Sequence, residues 1–308
     1  MESRAWSVIL AGGAGTRPVG VTGGVPKQFW QPDGGLSLLE ETLGRVGTLT
    51  PPKQCAIVVH EAHREYISRS ALGGAHVVAQ PDDRGTAAGV LYGLLTVLSF
   101  DPQAVVLITP ADHGVENPSL FLSAIRKALT HVTSRDGIML LGVAPSMADT
   151  DHGWIAIAPG GSATGVHRVA GFFEEPSLST ADRLLKLGSL VNTMVVAARA
   201  RTLLDLCRKR VPDLTAHFVE ALTLPRDIRD GVLRAAYAGL QTYDFSRHVL
   251  SGAAGLLALR IPEAAGWSDL GTPDRVAKWL AARHESVFAS PHRQTIASTR
   301  LVAEGVRT

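Results

Sequence analysis

The strongest constraint on the fold is a repeated alternation between short apolar runs and longer segments with helical spacing. The apolar runs, rich in Val, Ile and Leu, are residues 7–11, 56–59, 76–79, 104–109 and 138–143. Each is short enough to be a strand covered on both faces. The segments that supply the crossovers of a parallel sheet are residues 38–46, 62–70, 86–98 and 119–132. The first half is therefore predicted to be a doubly wound, mostly parallel α/β sheet.

The pattern changes after residue 151. Two apolar runs at 154–158 and 166–173 flank a turn-rich segment, which predicts a pair of antiparallel strands in a smaller substrate layer. Helical spacing then returns at residues 181–187, 202–210, 215–222 and 228–237, with a last apolar strand at 255–261. The C-terminal part is expected to be helical, and its amphipathic helices could pair two subunits in a homodimer or could equally be core helices.

Composition excludes several classes of protein. The two cysteines, Cys55 and Cys207, lie far apart with no Cys or His at metal spacing, so we expect neither a disulfide framework nor zinc, and a reducing cytoplasm fits best. Lys and Arg total 30 against 28 Asp and Glu, without a basic stripe, so nucleic acid is not an expected partner. The apolar run at 6–11 is far shorter than the ~18 residues of a membrane span, so no membrane association is expected.

A glycine-rich loop follows the first strand. Residues 10–17 read LAGGAGTR, and glycines allow several backbone N–H groups to face one point, as a triphosphate requires. Lys27 follows in the sequence PKQF, so Arg17 and Lys27 could bracket a polyphosphate, or could be two solvated cations beside a turn. The glycine spacing is not that of the Rossmann fingerprint, which disfavours a nicotinamide-dependent dehydrogenase.

These motifs carry a resemblance to a known family. LAGGAGTR followed by PKQF resembles the signature of sugar-1-phosphate nucleotidyltransferases, and the Gln-Phe pair resembles mannose-1-phosphate guanylyltransferases in particular. Residues 80–87 (QPDDRGTA) look like the base-recognition segment of the family, residues 110–113 (PADH) like its metal motif, and residues 266–271 (GWSDLG) like its closing motif. The four motifs stand in the order that the family has.

The resemblance implies a Rossmann-like fold and an enzyme that joins a nucleoside monophosphate from GTP to mannose 1-phosphate or a related sugar phosphate, releasing pyrophosphate with the help of Mg²⁺. It divides the chain into a nucleotidyltransferase domain at 1–284, with a nucleotide-binding half at 1–150 and a sugar-binding half at 151–284, and a tail at 285–308. The nucleotide-binding residues implied are Leu10, Ala11, Gly12, Gly13, Gly15, Thr16, Gln80, Gly85 and Thr86.

The resemblance also implies catalytic, metal and sugar residues. Asp112 follows an apolar strand, at the sheet edge where ligands usually bind, and a carboxylate there can hold Mg²⁺. The resemblance makes Arg17, Lys27 and Asp112 catalytic and adds Asp269 as the second metal ligand. The sugar-phosphate residues implied are Gly153, Glu174, Glu175, Asn192 and Asp269. Because the acceptor phosphate is already anionic, His113 is expected to pack or to support its neighbours and not to act as a base.

The sequence departs from the family pattern near the acceptor. The family has Phe-x-Glu-Lys-Pro, its Lys directed at the sugar phosphate, whereas this chain has Glu175 in place of that lysine. Either another cation such as Arg168 or Lys186 substitutes, or the acceptor carries its phosphate differently, or activity is lost. Trp154, where the family usually has Tyr, is expected to present a flat surface to the sugar.

Two alternatives stay open. One is a nucleotidyltransferase for a different base or acceptor, such as an unusual sugar or cyclitol phosphate. The other is a noncatalytic regulatory protein that binds sugar nucleotides.

Overall fold

The computed structural model describes residues 4–15, 20–67, 72–160 and 164–289. Within these ranges the strands are β1 Ala5–Ala11, β2 Cys55–His60, β3 His76–Gln80, β4 Val105–Pro110, β5 Gly114–Val115, β6 Ile138–Val143, β7 Trp154–Ile157, β8 Val166–Phe173, β9 Leu190–Arg199, β10 Leu256–Arg260 and β11 Trp267–Ser268. The α-helices are α1 Leu38–Val46, α2 Thr86–Phe100, α3 Pro118–Ser134, α4 Leu178–Lys186, α5 Ala200–Arg210, α6 Pro212–Thr223, α7 Arg226–Gly239 and α8 Pro273–Ala289.

Nine strands form one sheet in the order β3-β2-β1-β4-β9-β6-β10-β8-β7, and β5 pairs with β11 separately. Strands β1 to β4 are parallel neighbours, as the sequence predicts, and β7 pairs antiparallel with β8. The sheet as a whole is mixed: β6 and β10 are a further parallel pair, whereas β8 and β9 run antiparallel to the strands beside them. The predicted parallel pairing is thus found beyond the first four strands. The β7–β8 pair continues the same sheet through β10 and does not form a separate layer.

Strand β9 is the element that the sequence pattern missed. It lies between β4 and β6 and runs antiparallel to both, while its first residues also pair with β7. A strand from the second half of the chain therefore sits inside the sheet built by the first half. For this reason the core clusters on both faces of the sheet contain residues of both halves of the chain.

Helices lie on both faces of the sheet, and the α/β fold class is confirmed. Alternate side chains of each strand point to opposite faces: Val8 and Val58 belong to the core cluster that also holds residues of α2, α5, α6 and α7, whereas Ile9 and Ile57 belong to the cluster that also holds residues of α1 and α3. Helices α5 to α7 therefore contribute core residues of this chain. Among the described helices, none is both long and apolar enough to cross a membrane.

One predicted helix differs in kind from the helix that the structure has. Residues 62–70 were expected to be helical, but the structure has a 3₁₀ helix at Glu61–Tyr66, and residues 68–70 lie outside the described ranges. Helix α1 has the predicted bounds because Ser37 and Glu40 form a reciprocal capping box. Helix α8 continues to Ala289, past the predicted domain boundary at residue 284.

Gly93 gives a test of the packing between α2 and the sheet. A Cβ at this position would lie 2.4 Å from Val8 Cγ1 and 3.0 Å from Val58 Cγ2. We expect Gly93→Ala to lower the free energy of unfolding by about 1–3 kcal/mol through overpacking. Urea denaturation measures the change.

Gly44 is the matched control on helix α1. A Cβ there would meet no atom within 4 Å, so Gly44→Ala should raise the free energy of unfolding by roughly 0.5–1 kcal/mol through helix propensity. If both variants change stability equally, the close approach of α2 to β1 is not what excludes a side chain at Gly93.

Candidate active site

The glycine loop and the PKQF motif form one structural unit. The side-chain amide of Gln28 donates hydrogen bonds of 2.9 Å to the carbonyls of Ala11 and Gly13. The backbone N–H of Lys27 donates to the Gly15 carbonyl at 3.1 Å. Gly15 has φ +60°, and a Cβ there would lie 2.6 Å from the Lys27 nitrogen, so this position requires glycine. The loop is thereby held open at the carboxyl end of β1.

The Lys27 side chain joins three of the motifs. Lys27 is only 7% exposed, and its ammonium lies 2.8 Å from Asp112 Oδ2 and donates to the backbone carbonyl of Asp269 at 2.7 Å. Burial raises the pKa of the Asp112 carboxyl, but the positive charge of Lys27 and their hydrogen bond contribute to a net lowering. Asp112 is therefore a carboxylate at neutral pH.

Gln80 closes the far side of the glycine loop. Its side chain is buried, and its Oε1 accepts a hydrogen bond from the Tyr237 hydroxyl at 3.2 Å. A Cβ on Gly12 would lie 2.4 Å from Gln80 Nε2, so no side chain fits there. The Leu10 carbonyl accepts from the Ala111 N–H, which ties the end of β1 to the loop that carries Asp112.

The segment that begins α2 is held by residues 243–245. Gly85 has φ +82°, and a Cβ there would lie 2.4 Å from the Tyr243 carbonyl oxygen. Thr86 Oγ1 donates to Asp244 at 2.9 Å and accepts from the Phe245 N–H at 2.7 Å. The N-terminus of α2, where backbone N–H groups favour anions, thus points toward the edge that holds the glycine loop. Thr16 and Arg17 lie outside the described residues, so their predicted roles stay predictions.

Asp269 lies in a network of charged side chains. Arg275 donates to both of its carboxylate oxygens, at 3.2 and 3.0 Å, and His152 Nε2 lies 3.3 Å from Oδ2. Asp149 contacts both Arg275 and His152. Burial raises the pKa of Asp269, but His152 and Arg275 together hold it well below its usual range. Burial lowers the pKa of His152, yet the two carboxylates raise it overall.

Asp112 and Asp269 supply the kind of ligand that Mg²⁺ takes. The described residues contain no group of three or more His, Cys, Asp or Glu side chains that could hold a metal by themselves. Magnesium commonly uses one or two carboxylates and completes its shell with water and phosphate oxygens. Both carboxyl groups are ionised at neutral pH, so this donor set fits the ion in charge and chemistry.

Strand β9 is distorted next to the residues that were predicted to bind the sugar. Met194 has φ +56°, and its N–H donates to Asn192 Oδ1 at 3.2 Å, next to a register shift between β9 and β6. The Asn192 N–H donates to the Gly153 carbonyl at 2.8 Å, and Asn192 Nδ2 lies 3.4 Å from Ser246 Oγ. A Cβ on Gly153 would lie 2.5 Å from Glu174 Oε2. The structure therefore brings three of the predicted sugar residues together: Gly153, Glu174 and Asn192.

Glu174 carries a buried oxygen without a hydrogen-bond partner among the described residues, its Oε2. Burial, reinforced by the neighbouring carboxylates of Asp244 and Glu175, raises the pKa of Glu174 to about 7. A buried acceptor without a donor is costly. A hydroxyl group of a ligand would satisfy it.

Glu175 is paired with a cation that the sequence did not indicate. Arg247 donates to Glu175 Oε2 at 2.7 Å, and both side chains are more than half exposed. Of the two predicted substitutes, Lys186 is paired with Asp182, and Arg168 lies in β8 opposite Leu257. Arg247 is therefore the cation that pairs with Glu175, and the substitution of Arg168 or Lys186 for the lysine at the acceptor stays a prediction.

His113 has the role that the sequence predicts, and Trp154 does not. His113 Nδ1 accepts a hydrogen bond from Trp267 Nε1 at 3.1 Å, and burial lowers the pKa of His113 to about 4, so the ring is neutral and supports its neighbours. Trp154 has no exposed surface and donates to the Asp149 carbonyl. The expectation that Trp154 presents a flat surface to the sugar is therefore wrong.

Several site residues were not predicted from the sequence. Gln28 stands inside the PKQF motif and Arg275 in the first turn of α8 after the closing motif, so both had a signal in their position. Ser246 and Arg247 lie in a π-helical turn, Phe245–Leu250, where no motif marks them.

Comparison with known proteins identifies the family of this chain. Residues 6–285 match the family model described as nucleotidyl transferase. Mannose-1-phosphate guanylyltransferase 2 of Escherichia coli O157:H7 is 29% identical over 68% of this chain and 46% of its own length. The alginate biosynthesis protein AlgA of Pseudomonas syringae is 28% identical over 86% of this chain and 56% of its own length. The chain thus spans about half the length of these curated relatives.

Solved structures show the same fold. A crystal structure from Thermus thermophilus, titled mannose-1-phosphate geranyltransferase, superposes with a TM-score of 0.76 at 26% identity over 87% of this chain and 76% of that one. UDP-glucose pyrophosphorylase in complex with UDP-glucose superposes with a TM-score of 0.59 at 14% identity, over 92% and 99% of the two chains, a likeness of fold alone. The resemblance to sugar-1-phosphate nucleotidyltransferases is confirmed, and the chain belongs to the nucleotidyl transferase family.

Proposed function

We propose that this protein transfers a nucleoside monophosphate from GTP to mannose 1-phosphate or a related sugar phosphate, with release of pyrophosphate. The observation that carries the proposal is the position of Lys27. This one buried cation contacts the Asp112 side chain and the Asp269 backbone, and its own backbone is bonded to the glycine loop. A polyphosphate on that loop would have its transferred phosphate beside Lys27 and Asp112.

The chemistry proposed is an in-line displacement at the α-phosphorus. An oxygen of the acceptor phosphate attacks, the bond to the bridging oxygen breaks, and pyrophosphate leaves. The attacking oxygen is already anionic, which agrees with a neutral, hydrogen-bonded His113 that takes no part as a base. Lys27 and the glycine-loop N–H groups would neutralise and orient the phosphates. Magnesium bound through Asp112 and Asp269 would supply further positive charge at the reacting phosphates.

The acceptor would lie against Glu174, Asn192 and the Gly153 backbone, with Glu174 Oε2 accepting from a sugar hydroxyl. Arg247 lies beside this pocket, because Ser246 next to it contacts Asn192 and its partner Glu175 follows Glu174. We assign Arg247 as the cation for the acceptor phosphate, in place of the lysine that the family pattern has at position 175. Because the cation moves from position 175 to Arg247, the second candidate is an acceptor whose phosphate is placed differently. An unusual sugar phosphate or a cyclitol phosphate is such an acceptor.

The test is pyrophosphate release from the purified protein with Mg²⁺. GTP, ATP, CTP, UTP and dTTP are each combined with mannose 1-phosphate, glucose 1-phosphate and inositol 1-phosphate. We expect turnover with GTP and mannose 1-phosphate. Turnover with another pair only would favour the second candidate, and binding of GTP without turnover in any combination would contradict transfer to mannose 1-phosphate.

Asp112→Asn removes the carboxylate that faces Lys27 and the proposed ion. We expect kcat to fall roughly a hundredfold or more, since electrostatic groups at the transferred phosphoryl contribute on this scale. The melting temperature should also fall, because the buried Lys27 ammonium loses its charged partner, so kcat is measured at a temperature where circular dichroism shows the variant to be folded.

Asp205→Asn is the control, because Asp205 is exposed on α5 and pairs only with Arg208 among the described residues. A near-normal rate in Asp112→Asn would remove Asp112 from the catalytic site.

The raised pKa of Glu174 predicts a pH dependence. The carboxyl is neutral below about pH 7 and ionised above it, and a carboxylate accepts hydrogen bonds from hydroxyls more strongly than the neutral acid does. The ratio of kcat/KM for the acceptor, wild type over Glu174→Gln, should therefore rise as pH increases through about 7.

Titration of the acceptor phosphate affects the wild type and Glu174→Gln equally, so it cancels in this ratio. A ratio that stays constant across the pH range would mean that Glu174 does not contact the acceptor.

Arg247→Gln tests the assignment of the acceptor cation. We expect KM for the sugar phosphate to rise about tenfold while KM for the nucleotide changes little. Arg208→Gln is a matched control, since Arg208 has the same 55% exposure and is also paired with a carboxylate. Equal KM values in the two variants would rule out Arg247 as a contact of the acceptor.

A further inference from the structure

A second basic site lies at the edge of the sheet opposite the catalytic loops. Strands β1 and β4 begin there and β9 ends there, with Val105 of β4 paired to Arg199 of β9. A groove of about 980 Å³ opens between these strand ends, the C-terminal half of α3 and the first turn of α5. Four arginines line it, Arg4, Arg126, Arg199 and Arg201, and none of its described lining residues is acidic.

Three of the four arginines are held in position by neutral partners, and none of the four pairs with a described carboxylate. Arg199 donates to the Thr133 carbonyl at 2.7 Å, Arg201 donates to the Pro102 carbonyl at 2.8 Å, and Arg4 contacts the Gln103 side chain. Each guanidinium has five N–H donors, so one bond to a neutral oxygen fixes the group and leaves the others for a ligand. Arg126 makes no ion pair with a described carboxylate.

The nearby carboxylates do not cancel this charge. Asp136 accepts from the Thr202 hydroxyl at 2.6 Å and from a backbone N–H, and Asp101 accepts from the Gln103 N–H. Together, the four arginines and these two carboxylates carry a net charge of +2. The whole chain also has a formal net charge of +2, so the charges of its other residues sum to zero.

We propose that this groove binds a phosphorylated small molecule of nucleotide size. Its volume falls within the range of small-molecule sites, roughly 300–1,000 Å³. Planar guanidinium forks match phosphate oxygens in geometry, and the apolar floor, which includes Leu49 and Leu129, accepts the organic part of such a ligand. The inference does not depend on the reaction proposed for the opposite edge.

Inorganic pyrophosphate is the probe, used in titration calorimetry at fixed ionic strength without Mg²⁺. The wild type should show two classes of site. Arg126→Ala combined with Arg201→Ala should weaken one class by about tenfold, as expected for the loss of two exposed charge pairs. Lys27→Met should weaken the other class only, because Lys27 lies at the catalytic edge.

Arg208→Ala, which removes an exposed arginine away from the groove, should leave both classes unchanged. Melting temperatures identify any variant that fails to fold, and since Arg126 and Arg201 are exposed, their variants should melt as the wild type does. A single class of site that only Lys27→Met weakens would overturn the proposal. Tricarballylate binding the groove as tightly as pyrophosphate does would overturn its assignment to phosphate.

Discussion

The arrangement of the site depends on one buried ammonium group. Lys27 has little contact with solvent, and burying a charge costs several kcal/mol unless it is paired and hydrogen-bonded. Its partners are the Asp112 carboxylate and the Asp269 carbonyl, while its own N–H holds the glycine loop at Gly15. Because no one of these groups can move without leaving another unpaired, the glycine loop, the end of β4 and the closing loop are fixed relative to each other. The proposed chemistry relies on this rigidity, since it requires alignment and charge more than proton transfer.

The sequence predicted those elements whose bounds are set by interactions between residues that are close together in the chain. The bounds of β6 and α1 agree with the structure, because an apolar run bounded by turns fixes the strand and the Ser37–Glu40 capping box fixes the helix start. The nucleotide motifs could be recognised because their glycines stand where a Cβ would meet the Gln80 side chain, at Gly12, and the Lys27 backbone, at Gly15. Strand β9 was missed because its partners are distant in sequence and because it is distorted at Met194, where the polar residues resemble a loop.

The acceptor side could be predicted only in part. Glu174 and Asn192 belong to recognisable runs, but Arg247 contacts Glu175 across 72 residues and lies in a π-helical turn whose sequence has no motif. The change from lysine to glutamate at position 175 indicates that another cation must replace the lysine, but it does not indicate which residue supplies that cation. The same limit applies to the arginine groove at the opposite edge, whose members come from separate segments and form no cluster in the sequence.

The contact between Lys27 and Asp269 joins residues 242 positions apart. Trp279 of the last described helix lies in one core cluster with Trp30 and Leu38, which follow Lys27 in the sequence. The closing loop and its helix therefore complete the surroundings of a lysine near the other end of the chain. A shortened chain that lacked residue 269 would keep the strands of the sheet but would leave the buried Lys27 ammonium with only one of its two partners.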